Sequence, residues 1–191
     1  MRKVIVGLCL IAVIYGFLNM WQTSPSKAVN TLNSTLTRIE QEVKHSSVEG
    51  KPTLSAAFVD KVLVAAGSHA AGTGQALYDL SVKYGIDDAY ALAFFEHEST
   101  FGTGGVARAT LSLGNIRCSD GYQCVEGYRA YGSWVEGYED WYRLIRTLYI
   151  GQWHLSTVEQ IVPRYAPASE NDVAGYIAAV EKDVSTWRSE D

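Results

Sequence analysis

The stretch Ala91-Leu92-Ala93-Phe94-Phe95-Glu96-His97-Glu98-Ser99-Thr100-Phe101-Gly102 carries two carboxylates on a largely apolar helix, one of them in its apolar stripe. At about 100° per residue, Glu98 falls one turn after Phe94 and Phe95 and two turns after Ala91, so its carboxyl emerges from the middle of the stripe. Glu96 points about 160° away on the same arithmetic. A carboxylate on an apolar surface must find a cation or keep its proton, because desolvation disfavours the charged form. A carboxyl still protonated near neutral pH is the general acid that breaking a sugar–sugar bond requires. Gly102, Gly104 and Gly105 then allow a sharp turn that would open a cleft beside the helix end. The same spacing also suits a helix-end glutamate that caps amides or pairs with an arginine.

Other chemistry-bearing residues are few. Cys118 and Cys124 close the short loop Cys-Ser-Asp-Gly-Tyr-Gln-Cys, and in an exported protein such a pair most simply forms a disulfide. A zinc site would need more ligands nearby than His154 supplies, so neither metal nor cofactor is expected. Aromatic rings crowd residues 122–153. Sugar faces stack on such rings and a tyrosine hydroxyl adds a hydrogen bond. An aromatic stripe equally packs a helix, which is the role expected of Trp141, Tyr149 and Trp153.

The elements that must position these residues read as helices. Residues 55–66 carry apolar positions at helical spacing and end at Gly67; residues 74–84 repeat this and stop at Gly85. Asp87 or Asp88 can cap the helix that leads to Glu98. A long amphipathic helix is expected over 134–150, a short one from the Ser156-Thr157-Val158-Glu159 capping pattern to Pro163, and a last one over 171–187. Between them, residues 102–133 read as one irregular segment, with room for a small hairpin within 111–123.

The chain has 191 residues, 47% hydrophobic and 19% charged, enough for one ordinary domain with appendages. Its 16 basic and 21 acidic residues give a net charge of −5, which argues against nucleic acid as a partner. Arg2 and Lys3 precede an apolar run over residues 4–18, extended by Asn19, Met20 and Trp21, and no further charge appears until Lys27. That length and the charged tip predict a membrane anchor over 1–23, or else a cleaved export signal, with the remainder on the extracytoplasmic side. Residues 24–52 follow as a polar stalk in which Leu32, Leu36, Ile39 and Val43 recur at spacings of four, three and four, a short amphipathic helix. The globular domain is expected over 53–191.

Residues 91–118 resemble the glucosaminidase family of peptidoglycan hydrolases, within the lysozyme-like superfamily. Glu98-Ser99-Thr100-Phe101-Gly102 matches that family's helix-ending acid, small residue, aromatic and Gly; Ala107 and Gly114-Asn115-Ile116 match its second element. Tyr128-Arg129-Ala130-Tyr131-Gly132-Ser133 is similar to its aromatic-Arg-x-Tyr-x-Ser motif. Tyr165-Ala166-Pro167 with Asn171 and Tyr176 is similar to its closing motif. The similarity spans residues 54–187. It implies a mostly α, lysozyme-like helical bundle with one short irregular or β-hairpin segment, preceded here by the membrane helix. It further implies cleavage of β-1,4 bonds between aminosugars of peptidoglycan glycan strands with Glu98 as acid. Asn115, Tyr128, Tyr131 and Phe101 would then contact sugar, with Asn115 holding an acetamido group or fixing its own turn.

One departure from the family concerns the second catalytic group. The family usually carries a longer β-rich insert after the Asn, often supplying a second carboxylate; here only residues 117–127 fill that gap. Glu126 is the better-placed acid for activating water, ahead of Asp120. Should neither reach the cleft, substrate assistance or return of the proton to Glu98, as in a lytic transglycosylase, would serve. A muramidase outcome, or a wall-binding module without turnover, are the alternatives. Given the net negative charge, binding to an anionic wall is expected to rest on stacking and hydrogen bonds and to vary little with salt.

Overall fold

The structure, a computed structural model, describes residues 25–191; the expected membrane segment at 1–23 lies outside the described residues. The described chain divides at residues 45 and 46. Before the division runs α1 (Pro25–Ser46), a single helix on which Val29, Leu32 and Leu36 are exposed. The stalk stripe is therefore helical, as its spacing predicts.

The globular unit, residues 46–191, is mostly helical. Its elements are α2 (Ala56–Ala65), α3 (Gly74–Tyr84), α4 (Asp88–Ser99), α5 (Ala107–Thr110), β1 (Gln123–Val125), β2 (Tyr128–Ala130), α6 (Trp134–Leu144), α7 (Val158–Tyr165) and α8 (Val173–Glu190). The unit starts earlier than the sequence suggests, because Val48 is buried in the core and Ser47 and Glu49 make isolated bridges to Thr157 and Ile86.

Local chemistry explains the helix ends. Ser55 Oγ accepts from the Phe58 N–H at the start of α2, and Asp87 accepts from the Ala89 N–H at the start of α4. Gly85, at φ +64°, closes α3 in the left-handed conformation that costs glycine nothing. The capping box of α7 sits one residue later than expected: Gln160 Oε1 accepts from the N–H groups of Ser156 and Thr157, at 3.0 and 3.3 Å. Pro163 does not end that helix. Its ring already holds a helical φ, so the chain gives up one N–H and continues to Tyr165, closed by Ala166 N–H to Val162 O at 2.8 Å. The long helix expected over 134–150 is α6 followed directly by a π-helical stretch, Ile145–Gln152. The hairpin lies at β1–β2 rather than within 111–123. It pairs Gln123 with Ala130, Cys124 with Arg129 and Val125 with Tyr128, around the turn Glu126-Gly127.

At the centre stands α4, with every residue from Asp88 to Phe95 buried. Its neighbours α3 and α8 pack on it directly, while α2 backs α3, α6 lies on α3 and α7 on α8. Rings from three helices wrap its apolar face. Phe94 has Trp141, Tyr165 and Tyr176 at centroid distances of 5.5, 5.4 and 5.7 Å; Phe95 has Tyr138 and Trp141, both at 5.3 Å. Thus the stripe that leads to Glu98 is fixed on all sides before the helix reaches it.

Cys118 and Cys124 are joined as a disulfide that closes a loop of sequence separation six. Loop-closure entropy for so short a ring gives about 2 kcal/mol of stability. Replacing both cysteines with serine is expected to lower the unfolding free energy by that amount in a denaturant titration and to leave the helical circular dichroism unchanged.

Candidate active site

The helix bearing Glu98 ends in three consecutive left-handed residues, Thr100, Phe101 and Gly102, at φ +50°, +54° and +80°. Gly102 has no room for a side chain: a Cβ there would lie 2.7 Å from Leu113 Cδ2 and 3.0 Å from Trp134. Ser99 Oγ fastens this reversal to the next segment by donating to Leu113 O at 2.8 Å. The Gly114-Asn115 turn is then locked against the helix end. Asn115 Nδ2 donates to the backbone O of Glu98 at 2.5 Å, and the Tyr165 hydroxyl donates to Gly114 O. A Cβ on Gly114 would come within 2.5 Å of Trp141, so the turn can approach the core only as glycine.

Glu98 lies where two parts of a cleft meet. The larger part, about 480 Å³, is lined by Glu98, Asn115, Arg117, Tyr128, Arg164 and Glu170 among others. The smaller, about 390 Å³, is lined by His97, Glu98, Asn115, Tyr128, Asn171, Asp172 and Tyr176 among others. Cavities of this size are of the ordinary volume for small-molecule sites. The Tyr176 hydroxyl donates to Glu98 Oε1 at 2.8 Å, and the His97 ring lies against Tyr176 at a centroid distance of 4.9 Å, its Nε2 3.5 Å from Asp183.

Burial pushes the Glu98 carboxyl up to about 7, from an ordinary 4.5; the Tyr176 hydroxyl and the Arg117 charge pull the other way without cancelling it. Glu96 is also raised, first by burial and then by the Asp183 charge, but it lines neither part of the cleft. The site therefore holds a carboxyl that is half protonated near neutral pH and open to a ligand on two sides. It can donate a proton. Among the described residues no cluster of His, Cys, Asp and Glu could hold a metal ion.

Of the residues singled out by sequence, Glu98, Asn115 and Tyr128 come together at the cleft. Asn115 Nδ2 fixes the turn through the Glu98 backbone, while its Oδ1 is buried at the cleft without a hydrogen-bond partner among the described residues. Three others do not join them. Phe101 is buried, because the left-handed reversal turns its side chain back toward Trp187, 6.3 Å away between centroids. Tyr131 donates instead to Asp140 at 2.7 Å and lines neither part of the cleft. Glu126 is exposed at the hairpin tip with φ +51°, also outside the cleft lining.

Sequence reasoning missed Asp140, which is 2% exposed. Its carboxylate accepts from Arg129 at 2.7 Å, Tyr131 at 2.7 Å and Tyr122 at 3.0 Å, with Arg143 at 3.3 Å. Tyr176 was visible only as part of the closing motif, and nothing in its spacing placed it on Glu98. Arg117 carried no signal at all; its guanidinium stacks 5.2 Å over the Tyr128 ring and pairs with Glu170 at 2.7 Å.

Removing the Tyr176 hydroxyl takes away a bond that favours ionised Glu98, so Tyr176→Phe is expected to raise the titration midpoint of the Glu98 carboxyl by about one unit, followed by NMR of the labelled side chain. An unmoved midpoint would assign Tyr176 to packing alone. No family model matches the sequence, and comparison with curated proteins finds no match.

Proposed function

We propose that the chain is a peptidoglycan hydrolase of the glucosaminidase type, in the lysozyme-like superfamily, cutting β-1,4 bonds between aminosugars with Glu98 as general acid. One observation carries the reading: a carboxyl held near neutral titration by burial, at the junction of two cleft parts that a polymer could occupy on either side of the bond to be cut. The ordered motifs from residue 98 to residue 176 support it. The apolar run over residues 4–18 behind Arg2 and Lys3 supports a membrane-tethered enzyme acting outside the cell.

In this mechanism the Glu98 proton passes to the glycosidic oxygen as the C–O bond breaks and positive charge develops on the sugar that keeps the anomeric carbon. Glu98 becomes a carboxylate, and the Tyr176 O–H bond, which lies on that oxygen, strengthens as the charge appears. Glu126 is not at hand to activate water. The acetamido oxygen of the substrate attacks the anomeric carbon as the leaving group departs, water then attacks that carbon and opens the resulting ring, and the proton taken from water returns Glu98 to its starting state. A transglycosylase course is favoured by the same single acid: the substrate's own hydroxyl attacks and gives its proton to Glu98, leaving an anhydro end.

Mass spectrometry of products from isolated sacculi tests the reading. Soluble fragments ending in a reducing aminosugar are expected from the native chain, and anhydro ends would select the transglycosylase course. Glycan strands left intact across pH 5–8 would overturn both.

A further inference from the structure

The two parts of the cleft differ in charge. The larger is lined by Arg117, Arg129 and Arg164 with Glu170 as the opposing acid beside Glu98; the smaller contains no Lys or Arg and includes Asp172. A cationic lobe runs against the chain's net charge of −5. Two of the three arginines are committed. Arg129 donates to Asp140 and to Ser119, and Arg117 is paired with Glu170. Arg164, exposed in the last turn of α7, has neither an ion pair nor a hydrogen-bond partner among the described residues. On the other side, Asp172 is occupied in capping α8 through the Gly175 N–H at 3.1 Å.

We propose that the larger lobe is a subsite for an acidic sugar, whose carboxylate is gripped by Arg164, so that a glycan alternating acidic and neutral units lies in the cleft in one order only. The inference rests on the hydrolase reading for its ligand and deepens it. A guanidinium offers two parallel N–H donors to a carboxylate, which fixes orientation as well as charge. The neutral aminosugar then falls toward Tyr176 and His97, in the part whose lining holds no Lys or Arg. The preference is local, so salt weakens binding of the acidic polymer, against the salt-independence expected from the net charge alone.

Arg164 also complements the dipole at the end of α7, a role that any cation would fill. Lysine separates the two, since it keeps the dipole contact and loses the fork. The experiment measures binding to the full chain carrying Glu98→Gln, so that turnover does not intrude. Three probes are compared: peptide-free glycan strands with a free lactyl carboxylate, peptide-bearing strands in which that carboxyl is an amide, and neutral chitooligosaccharides. Adding Arg164→Ala is expected to weaken the carboxylate-bearing probes about tenfold more than the neutral one. Arg164→Lys should restore only part of that loss, with no change in thermal midpoint. A loss confined to peptide-free strands names the lactyl group as the ligand; a loss confined to peptide-bearing strands would put the carboxylate on the stem and overturn the acidic-sugar assignment. Equal change on all three probes, no change on any, or no binding at all would overturn the subsite. A native chain that binds in this pattern and cuts nothing would sink the hydrolase reading alone.

Discussion

Glu98→Gln is expected to cut glycan cleavage by about a thousandfold and, at pH 8, to make the folded chain more resistant to heat than the native one. Both effects have one cause. The Glu98 carboxyl sits at about 7 when folded and at an ordinary 4.5 when unfolded, so the native state binds this proton more tightly. A raised value contributes stability that is fully present below about pH 4.5 and is lost as the pH climbs through 7. At pH 8 the native chain must hold an ionised carboxylate in a site that prefers it neutral, which costs about 3 kcal/mol. Glutamine keeps the shape, can accept the Tyr176 hydrogen bond, and does not titrate. The difference between the two proteins should therefore be small at pH 4.5 and reach on the order of 5–10 °C in thermal midpoint at pH 8. Asp88, also raised to about 7 by burial and by Asp87, affects both proteins alike and drops out of the comparison. Thermal scans at the two pH values decide the matter. A midpoint shift that is the same at both would show that Glu98 does not hold its proton against its surroundings.

Asp140→Asn should be the most damaging change outside the cleft. The side chain of Asp140 is 3% exposed and that of Arg129 13% exposed, and their contact at 2.7 Å is the pin that holds β2 to α6. Tyr122 and Tyr131 place their hydroxyls on the same carboxylate, and the Arg129 guanidinium lies 3.9 Å over the Tyr122 ring. Removing one partner of a buried pair leaves the other charge uncompensated, at a cost of about 3–5 kcal/mol. A fall in thermal midpoint on the order of 10 °C is expected. Tyr128 and Arg117, which reach the cleft from the hairpin and the segment bridged to it, would lose their support, so substrate affinity should fall as well. Limited proteolysis would show new cuts within residues 117–131. A variant as stable and as protease-resistant as the native chain would mean that the disulfide alone fixes this segment.

The helices were legible because their signals are local. Ser55, Gly85 and Asp87 act within four residues of themselves, and the position of Glu98 on an apolar face follows from helical geometry alone. Phe101 misled because its direction depends on three left-handed residues in a row, two of them not glycine, which propensity does not announce. Tyr131 misled, and Asp140 went unnoticed, for a different reason. An acid in the middle of an amphipathic helix reads as solvated, and only the fold brings in the arginine and two tyrosines that bury it, from nine to eighteen residues upstream. The Tyr176 bond to Glu98 spans 78 positions, beyond the reach of any pattern along the chain.

On the hydrolase reading proposed above, the hairpin tip bears on which wall polymers the cleft can admit. Glu126 and Gly127, both left-handed, are all that separates the two strands, and Tyr128, which follows at once, lines both parts of the cleft. Any lengthening of the chain at this point would grow beside that ring and roof the flank. With two residues there, the parapet is one tyrosine high. A strand bristling with side branches, or tied by them to its neighbour in a mature wall, meets no overhang on that side.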